Sequence, residues 1–506
     1  MFLFILLKDL VAYAKETGIS LLTHADPKDI LPSEKLFQTI NKAYEFPEEV
    51  RGWRYSWVTC YSVIIKCRAV LQNKGYIVNL VRELMWIFLT RSEYYVFFHL
   101  QLVLEFSENG TKPLKSSLLL DDRNEKLAKG IAAITQNNRA TSNLRTKSSQ
   151  NLILNKPAWL LWQDMVKERE VTQPGQEGKM KVDAIAKALQ TVPVIQTSVG
   201  YRGTQLKASM FLKGNQRTVF KPKRYERDYI VEGGPYSGFD RHNGEIAAFH
   251  LDRILGFYRA PIVTGRIIDL KTEVMPHIQA ELKKTFFKQG NNTCFYGVCY
   301  YCKKSEAACA DGEMMEGSVT IWLPAGWDLK NWRHPWQRTY RANKKARWEV
   351  DPNYCANTVM RTPPYSRGPR LMSIIDTAIF DYFIGNADRH HYETFVKGGD
   401  DAMVLHLDNG KSFGNPDWDE LSILAPLYQC CRILRSTWQR IKALDNQNDK
   451  KLSEVLQESM SSEPLAPILS QKHLDAIDRR LKKIVEYVDQ CIKKYGQRVV
   501  VVADRS

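Results

Sequence analysis

Apolar and polar residues alternate along two stretches in the middle of the chain, residues 205–212 and 217–221. The segment between them, residues 213–216 (KGNQ), is polar and contains glycine and asparagine. Alternation with a period of two indicates β-strands, and a short polar connection of this kind favours a tight reversal of the chain. The pattern therefore predicts a β-hairpin within a small antiparallel sheet that begins near Val194.

Helical spacing follows at residues 244–255. Ile246, Phe249 and Ile254 fall on one face of a helix with 3.6 residues per turn, and Gly256 comes where that helix would end. Glycine just past the last periodic residue is a common stop signal. We therefore expect a helix with one buried face after the hairpin.

The second half of the chain is predicted to be mostly helical. Residues 371–383 are apolar with helical spacing, and residues 474–495 have separate apolar and charged faces. Between these helices, the short apolar run at residues 403–407 predicts a buried strand. A sheet-rich half followed by a helix-rich half is the layout of an α+β, two-lobed kinase fold.

Composition suggests several units within the 506 residues, of which 44% are apolar. Residues 1–106 form an N-terminal segment of uncertain nature, and residues 107–154 are polar and predict a flexible linker. We expect a sheet-rich N-lobe with a cysteine-rich insert at residues 155–325, and a helical C-lobe at residues 326–496. Residues 497–506 would be a tail.

The net charge of +16 suggests an acidic partner, such as an anionic glycan, a phosphate-rich substrate, a membrane surface or nucleic acid. A basic surface that only keeps the protein soluble is an equal alternative. The chain has no long lysine and arginine block and no regular interleaving of aromatic and basic residues. This absence argues against a nucleic-acid-binding module.

Cysteine is concentrated late in the chain. Eight of the ten cysteines follow residue 290: Cys294, Cys299, Cys302, Cys309, Cys355, Cys430, Cys431 and Cys491. The first four could bind zinc, but they lack the two separated ligand pairs usual for a structural zinc site. Their number and clustering favour disulfides, which indicate a secretory protein. In such a protein the sequon that begins at Asn291 would be a glycosylation site.

The N terminus does not support that compartment by itself. The apolar run at residues 2–7 is short, and no basic residues precede it, so it is a poor signal peptide. The apolar run at residues 94–104 is too short to span a bilayer. The cysteines, and not the N terminus, therefore point to the secretory compartment.

Four charged side chains match the requirements of phosphoryl transfer, which needs a lysine on the nucleotide phosphates, carboxylates for a divalent metal and a base near the acceptor hydroxyl. Lys221 ends an apolar strand, and Glu245 lies on the following helix, as in protein kinases. Asp388 would be the base, and Asp408 would bind metal. Each residue alone has an ordinary structural explanation, and Glu393 stands where kinases carry a metal-binding asparagine. The prediction of a kinase site therefore rests on the order and spacing of the four residues together.

The segments around these residues resemble a known family, the secretory-pathway kinases called "family with sequence similarity 20". The resemblance covers about residues 191–495. It is carried by residues 220–223 (FKPK), 241–253 (RHNGEIAAFHLDR), 386–395 (NADRHHYETF) and 421–431 (LSILAPLYQCC). It implies an atypical, disulfide-bonded, bilobal protein-kinase-like fold.

The resemblance also implies roles for individual residues. Asp388 resembles the catalytic base, and Glu245 and Asp408 resemble the metal ligands. Glu245 is present here, whereas a pseudokinase of the family has lost this carboxylate, so its presence argues for activity. The positions that resemble nucleotide contacts are Gln205, Lys221, Ile321, Trp322, Leu323, Pro324 and Glu393.

The family's disulfides would join Cys294 to Cys309, Cys299 to Cys302, Cys355 to Cys430, and Cys431 to Cys491. The two residues between Cys299 and Cys302 match the members that phosphorylate a sugar, whereas members of the Golgi casein kinase type have three. The resemblance thus implies ATP-dependent phosphorylation of the 2-hydroxyl of xylose in the glycosaminoglycan–protein linkage region. The alternatives are a serine protein kinase of the Golgi casein kinase type and a pseudokinase activator.

The implied cofactors are ATP and Mn²⁺ or Mg²⁺. The implied substrate is the proteoglycan linkage glycan, and a related pseudokinase or a second copy of the chain would be a further partner, with no role for nucleic acid. The implied location is the Golgi lumen, with the protein membrane-anchored or secreted. Trp322, Trp327, Trp332, Trp336 and Trp348 lie near several arginines and could contact a sugar, although burial in the core is the favoured explanation.

Overall fold

The computed structural model describes residues 156–200, 203–341, 343–446 and 450–504, together with the backbone of three strands nearer the N terminus. The chain divides into two compact units, residues 1–137 and 138–506. The first contains the antiparallel strands β1 (Arg54–Val63), β2 (Asn73–Arg82) and β3 (Met85–Leu89). The predicted linker at residues 107–154 and the N-terminal apolar runs lie outside the described residues. No described helix is long and apolar enough to cross a membrane.

A five-stranded antiparallel sheet forms the first half of the second unit, with strand order β4-β5-β6-β11-β7. Its strands are β4 (Val194–Val199), β5 (Ala208–Leu212), β6 (Gln216–Pro222), β7 (Val263–Asp269) and β11 (Met314–Ile321). The predicted hairpin is confirmed as β5 and β6. Gly214 (φ 91°) and Asn215 (φ 63°) adopt the left-handed backbone that its tight turn requires.

Three helices accompany this sheet: α1 (Ala158–Met165), α2 (Gly175–Thr191) and α3 (His242–Ile254). α2 and α3 pack on the sheet, and α1 packs on α2. The predicted helix at residues 244–255 is confirmed as α3, and Gly256 follows it with φ 77°. Gly244 permits a close approach, because a Cβ there would lie 2.5 Å from Ser412 Oγ. This contact brings the first turn of α3 against the segment that follows Asp408.

A cysteine-rich insert separates β7 from β11. It contains α4 (Ala280–Lys283) and a small sheet made of β8 (Phe286–Gln289), β9 (Asn292–Phe295) and β10 (Ala308–Cys309). Disulfides join Cys294 to Cys309 and Cys299 to Cys302. These bonds hold a segment that is otherwise mostly loop.

The second half of the unit is mainly helical. Its helices are α5 (Arg347–Val350), α6 (Tyr354–Asn357), α7 (Arg370–Ile384), α8 (Ala425–Cys430), α9 (Arg435–Asp445), α10 (Leu452–Ser459), α11 (Gln471–Tyr495) and α12 (Gln497–Val500). Its short strands are β12 (Leu329–Arg333), β13 (His391–Phe395), β14 (Ile433–Leu434) and β15 (Val501–Val502). The described part of the unit also contains a π turn, Leu270–Val274, and five 3₁₀ segments: Met275–His277, Lys304–Glu306, Val359–Arg361, Val396–Asp401 and Leu421–Leu424.

The predicted helices at residues 371–383 and 474–495 are confirmed as α7 and α11. Almost every residue of α7 is buried, and its buried carboxylates are paired, Asp376 with Arg259 and Asp381 with Arg389. Adjacent cysteines tie the surrounding helices together, since Cys430 bonds Cys355 and Cys431 bonds Cys491. The cysteine pairs are those that the family resemblance implies, and no zinc site is built from them.

The strand predicted at residues 403–407 is wrong. The segment is mostly buried, but it joins no sheet. Its backbone makes two isolated hydrogen bonds to two different segments, from Leu405 N–H to Glu393 O (2.9 Å) and from His406 N–H to Arg259 O (3.2 Å). The apolar pattern therefore reflects burial of this segment, without the strand pairing that usually accompanies such a pattern.

Candidate active site

Lys221 on β6 is the centre of a cluster of three carboxylates. Its ammonium donates hydrogen bonds to Glu245 Oε1 (2.6 Å), Asp240 Oδ2 (2.7 Å) and Asp408 Oδ1 (2.7 Å). Lys221, Glu245 and Asp240 are buried, whereas the side chain of Asp408 is 73% exposed. The structure thus brings together Lys221, Glu245 and Asp408, as the sequence predicts, on a surface open to solvent at Asp408.

Secondary structure explains how these groups meet. Lys221 lies on a central strand of the sheet, and Glu245 lies in the first turn of α3. The second oxygen of Glu245 accepts a hydrogen bond from Asn409 N–H (3.2 Å), which fixes the segment that carries Asp408. Asp408 itself has φ 53°, a left-handed conformation that is uncommon for a residue with a side chain.

The charges of the cluster shift one another's pKa. Burial disfavours the ammonium of Lys221, but Asp240, Asp408 and Glu245 outweigh it and raise its pKa well above the usual value. Lys221 lowers the pKa of Asp408. Burial raises the pKa of Glu245, although Lys221 opposes this effect. Lys221 is therefore protonated and Asp408 ionised over the physiological pH range.

The cluster suits a hard divalent cation. Its three carboxylates and one ammonium leave an excess of negative charge, and oxygen ligands are those that Mg²⁺ and Mn²⁺ prefer. The described residues contain no preformed group of three or more metal-binding side chains. Two carboxylates would therefore supply part of the cation's coordination, and phosphate and water oxygens would supply the rest, which is the usual arrangement in nucleotide sites.

Asp388, the predicted base, lies in the loop after α7. Gly385 (φ 68°) ends the helix, and Asn386 Oδ1 accepts a hydrogen bond from Asp388 N–H (3.1 Å). The hydroxyl of Tyr340 donates to Asp388 Oδ1 over 2.5 Å. Burial raises the pKa of Asp388, the Tyr340 hydrogen bond lowers it, and the nearby charge of Asp408 raises it. A raised pKa makes this carboxylate a better proton acceptor.

Arg389 holds the loop of Asp388 against the loop of Asp408. Its guanidinium forms a two-point ion pair with Asp381 (2.6 and 2.8 Å) and donates to Leu407 O (2.6 Å) and Asn409 Oδ1 (2.8 Å). The side chains of Arg389 and Asp381 are buried. Arg389 thus fixes the loop of Asp388 next to the loop of Asp408. Asp388 itself makes no direct bond with the lysine cluster.

The predicted nucleotide positions lie on several separate segments. Gln205 Oε1 accepts a hydrogen bond from Asp240 N–H (3.3 Å). Glu393 on β13 accepts one from Asn331 Nδ2 (2.8 Å), and burial raises its pKa. Ile321 ends β11, and the predicted adenine segment, residues 321–324, leaves the sheet there.

That segment is held in place by the sheet and by α1. Trp322 N–H donates to Arg217 O (3.0 Å), and Trp322 O accepts a hydrogen bond from the indole of Trp162 (2.9 Å). The guanidinium of Arg217 lies 4.0 Å from the centre of the Trp322 ring. The connection between the sheet and the helical half is therefore firmly positioned.

Two residues of the site were missed by the sequence analysis. Asp240 directly precedes the motif at residues 241–253, and this position was the one signal that could have identified it. Tyr340 lies in an irregular segment with no motif, and no local signal marks it. The predicted glycosylation site, Asn291, is exposed at the turn between β8 and β9, where modification is sterically possible.

The comparisons with known proteins agree with this geometry. A family model described as "Golgi casein kinase, C-terminal, Fam20" matches residues 157–500. Glycosaminoglycan xylosylkinase of Homo sapiens is 54% identical over 347 residues, which cover 69% of this chain and 83% of that protein. The extracellular serine/threonine protein kinase FAM20C of Homo sapiens is 43% identical over 64% of this chain and 56% of that protein.

Solved structures give the same result. The structure of hydra Fam20 with sugar has a TM-score of 0.67 and 48% identity, and the match covers 70% of this chain and 100% of that one. The crystal structure of the Golgi casein kinase with Mn/ADP bound has a TM-score of 0.66 and 34% identity over 78% of this chain and 96% of that one. The bilobal kinase-like fold expected from the sequence is thereby confirmed. The chain belongs to the Fam20 family.

Proposed function

We propose that this protein is an ATP-dependent kinase that phosphorylates the 2-hydroxyl of xylose in the glycosaminoglycan–protein linkage region of proteoglycans. The observation that carries the proposal is the 54% identity to glycosaminoglycan xylosylkinase over 83% of that protein. The site supports it, because a lysine, a base and carboxylates for metal converge beside one another. This is the set of groups that phosphoryl transfer requires.

On the nucleotide side, Lys221 would donate to the phosphates of ATP. Its three hydrogen bonds to carboxylates fix the ammonium in position before the nucleotide arrives. Glu245 and Asp408 would hold Mn²⁺ or Mg²⁺, which neutralises phosphate charge when it is bound. Gln205, Glu393 and residues 321–324 would contact the rest of the nucleotide.

On the acceptor side, Asp388 would accept the proton of the xylose hydroxyl as that oxygen attacks the γ-phosphorus in line and ADP leaves. The hydroxyl of Tyr340 donates to Asp388 at the place where an acceptor hydroxyl would donate. The acceptor must therefore replace this hydrogen bond or share the carboxylate with it. Arg389 bonds both Asp381 and Asn409, and it thereby fixes the position of the Asp388 loop relative to the loop of Asp408.

An assay with two acceptors tests the proposal. The purified protein, ATP and MnCl₂ are incubated with a galactosyl-xylose glycoside or with a casein-type peptide, and phosphate transfer is measured for each. We expect phosphate on the 2-hydroxyl of xylose, located by NMR, and an Asp388→Ala variant with an unchanged melting temperature should transfer none.

The same assay separates the alternatives. Transfer to the peptide alone would establish a serine protein kinase, the alternative that the 43% identity to FAM20C favours. A thermal shift with nucleotide but no transfer to either acceptor would establish a pseudokinase. Full transfer by the Asp388→Ala variant would overturn the assignment of the base.

We also propose that the protein works in the Golgi lumen and carries a glycan on Asn291. Four disulfides require an oxidising compartment. The side chain of Asn291 is exposed, whereas Thr293 of the same sequon is buried and donates to Glu313 Oε2 (2.7 Å). An Asn291→Gln variant should lose one glycan by mass spectrometry, and localisation of the tagged full chain checks the compartment.

A further inference from the structure

Two adjoining clefts lie on the acceptor side of Asp388. The first has a volume of about 530 Å³ and is lined in part by Tyr340, His390 and His391, so that it opens beside Asp388. The second, which we call the distal cleft, has a volume of about 460 Å³. Arg333 and Lys344 are among the residues that line both clefts. The distal cleft is therefore a continuation of the space in which an acceptor must lie.

Cations without acidic partners surround this space. Arg333, Arg341, Lys344, Lys345 and Arg347 are all exposed. Among the described residues none of these five forms an ion pair, whereas the neighbouring Arg338 lies 3.6 Å from Glu420. Like charges crowded within a short stretch repel one another, and an anionic ligand would relieve that repulsion.

The acidic residues nearest in sequence are already engaged. Glu349 Oε2 accepts a hydrogen bond from Ala346 N–H (2.6 Å) at the start of α5. Asp351 Oδ1 accepts one from Asn353 N–H (2.9 Å). Neither carboxylate forms an ion pair with a basic side chain among the described residues, so the cleft keeps its positive charge.

The lining of the distal cleft favours a polypeptide over a sugar ring. Sugars are commonly held on an open aromatic face, but Trp348 is only 4% exposed, and the guanidinium of Arg338 lies 5.8 Å from its ring centre. The two tyrosines of the lining, Tyr354 and Tyr365, are half-buried, and the hydroxyl of each is hydrogen-bonded within the protein. The accessible groups are instead cations with hydroxyl and amide groups, which suit carboxylates and peptide bonds. In the proposed reaction the xylose is joined to a protein, so a polypeptide must lie close to Asp388.

We propose that the distal cleft binds an acidic segment of the acceptor protein next to the glycosylated residue. The inference rests on the proposed function and adds to it a contact with the protein part of the substrate. Lys345 and Arg347, which line only the distal cleft, would pair with aspartate or glutamate side chains. The cleft thereby makes xylose on an acidic polypeptide a better acceptor than xylose on a neutral one.

The test compares acceptors that carry the same galactosyl-xylose. One is a glycopeptide with aspartate and glutamate beside the glycosylated serine, and its twin has asparagine and glutamine at those positions. A third is the sugar glycoside without peptide, and a fourth is a linkage oligosaccharide without peptide that ends in a uronic acid. We expect the wild-type KM for the acidic glycopeptide to be at least tenfold below that for its neutral twin, with a smaller difference at 0.5 M NaCl.

The variant K345E/R347E should lose this discrimination while its kcat/KM on the sugar glycoside stays within twofold of wild type. The control K493E/K494E carries the same change of charge on exposed residues at the end of α11 and should keep the discrimination. Melting temperatures with and without ATP and MnCl₂ check that each variant is folded. If the K345E/R347E variant is unfolded, the milder Lys345→Gln variant is used, and a partial loss is expected.

Three results would overturn the inference. Equal KM values for the acidic and neutral glycopeptides would show that the cleft does not bind acidic peptides in preference to neutral ones. A preference that follows the uronic acid would assign the cations to the glycan, and loss of activity on the sugar glycoside by the variant would place them in the sugar site. If the wild type phosphorylates none of the four acceptors, the proposed function fails instead, and binding of the acidic and neutral glycopeptides by calorimetry still decides the role of the cleft.

Discussion

The two sides of the active site are built in opposite ways. On the proposed nucleotide side, Lys221 is buried and bonded to three carboxylates. Lys221 and Glu245 lie on a strand and a helix, whereas Asp240 and Asp408 lie on the irregular segments that pack against these elements. On the acceptor side, the basic residues are exposed and without acidic partners among the described residues, and they lie mostly on irregular segments and a helix of one turn.

This contrast separates chemistry from selection of the acceptor. Charged groups that are already held by one another are preorganised, which favours precise stabilisation of charge during transfer. Exposed cations on loops can be changed without disturbing the core, and recognition sites are commonly found on such segments. We therefore expect substitutions on the nucleotide side to lower catalysis or stability, and those on the acceptor side to change preference.

The largest effect is expected at Asp408. An Asp408→Ala variant should lose transfer by a factor on the order of a thousand or more, because the proposed metal ligand and a partner of Lys221 disappear together. The melting temperature should change little, since the side chain is 73% exposed. Asp417→Ala, at an exposed aspartate nearby in sequence, serves as the matched control and should be fully active.

Asp388→Asn should lower kcat by roughly 10²–10⁴-fold, the usual contribution of a general base. Nucleotide binding, measured by calorimetry with ATP and MnCl₂, should be unchanged because the side chain makes no bond to the lysine cluster. A variant that lost ATP affinity instead would place Asp388 on the nucleotide side and break the comparison.

Lys221→Met should destabilise the protein by roughly 3 kcal/mol, the usual cost of leaving a buried charge without its partner. Three carboxylates would then repel one another, and a divalent cation should relieve that repulsion. Urea unfolding should show the loss without metal and a partial recovery with MnCl₂. The same loss with and without metal would show that the carboxylates do not bind the cation.

The smallest effect concerns pH and Tyr340. Asp388 must be ionised to accept a proton, so activity falls as pH drops through its raised pKa. The Tyr340 hydrogen bond lowers that pKa, so Tyr340→Phe should raise it and move the acidic limb of the kcat/KM profile to higher pH. An acidic limb that stays in place would show that Tyr340 does not bond Asp388 in solution.

Much of the fold could be predicted because its signals are local. The hairpin of β5 and β6, the helix α3 and the long helix α11 each follow from periodicity and from the residues at their ends. The segment at residues 403–407 shows the limit of this reasoning. Its apolar run correctly predicts burial. Strand pairing, however, also requires a neighbouring strand, and only the tertiary structure decides whether one is present.

The sequence by itself predicted the chemistry that we propose for the site, because Lys221, Glu245, Asp388 and Asp408 occur in the order and spacing of a kinase. Asp240 had only its place before the motif at residues 241–253 to mark it as a partner of Lys221, and no local signal marked Tyr340, which lies 48 positions from Asp388. Nor could the sequence show which cations lack acidic partners. These properties depend on distances between remote segments, and only packing of the chain decides those distances.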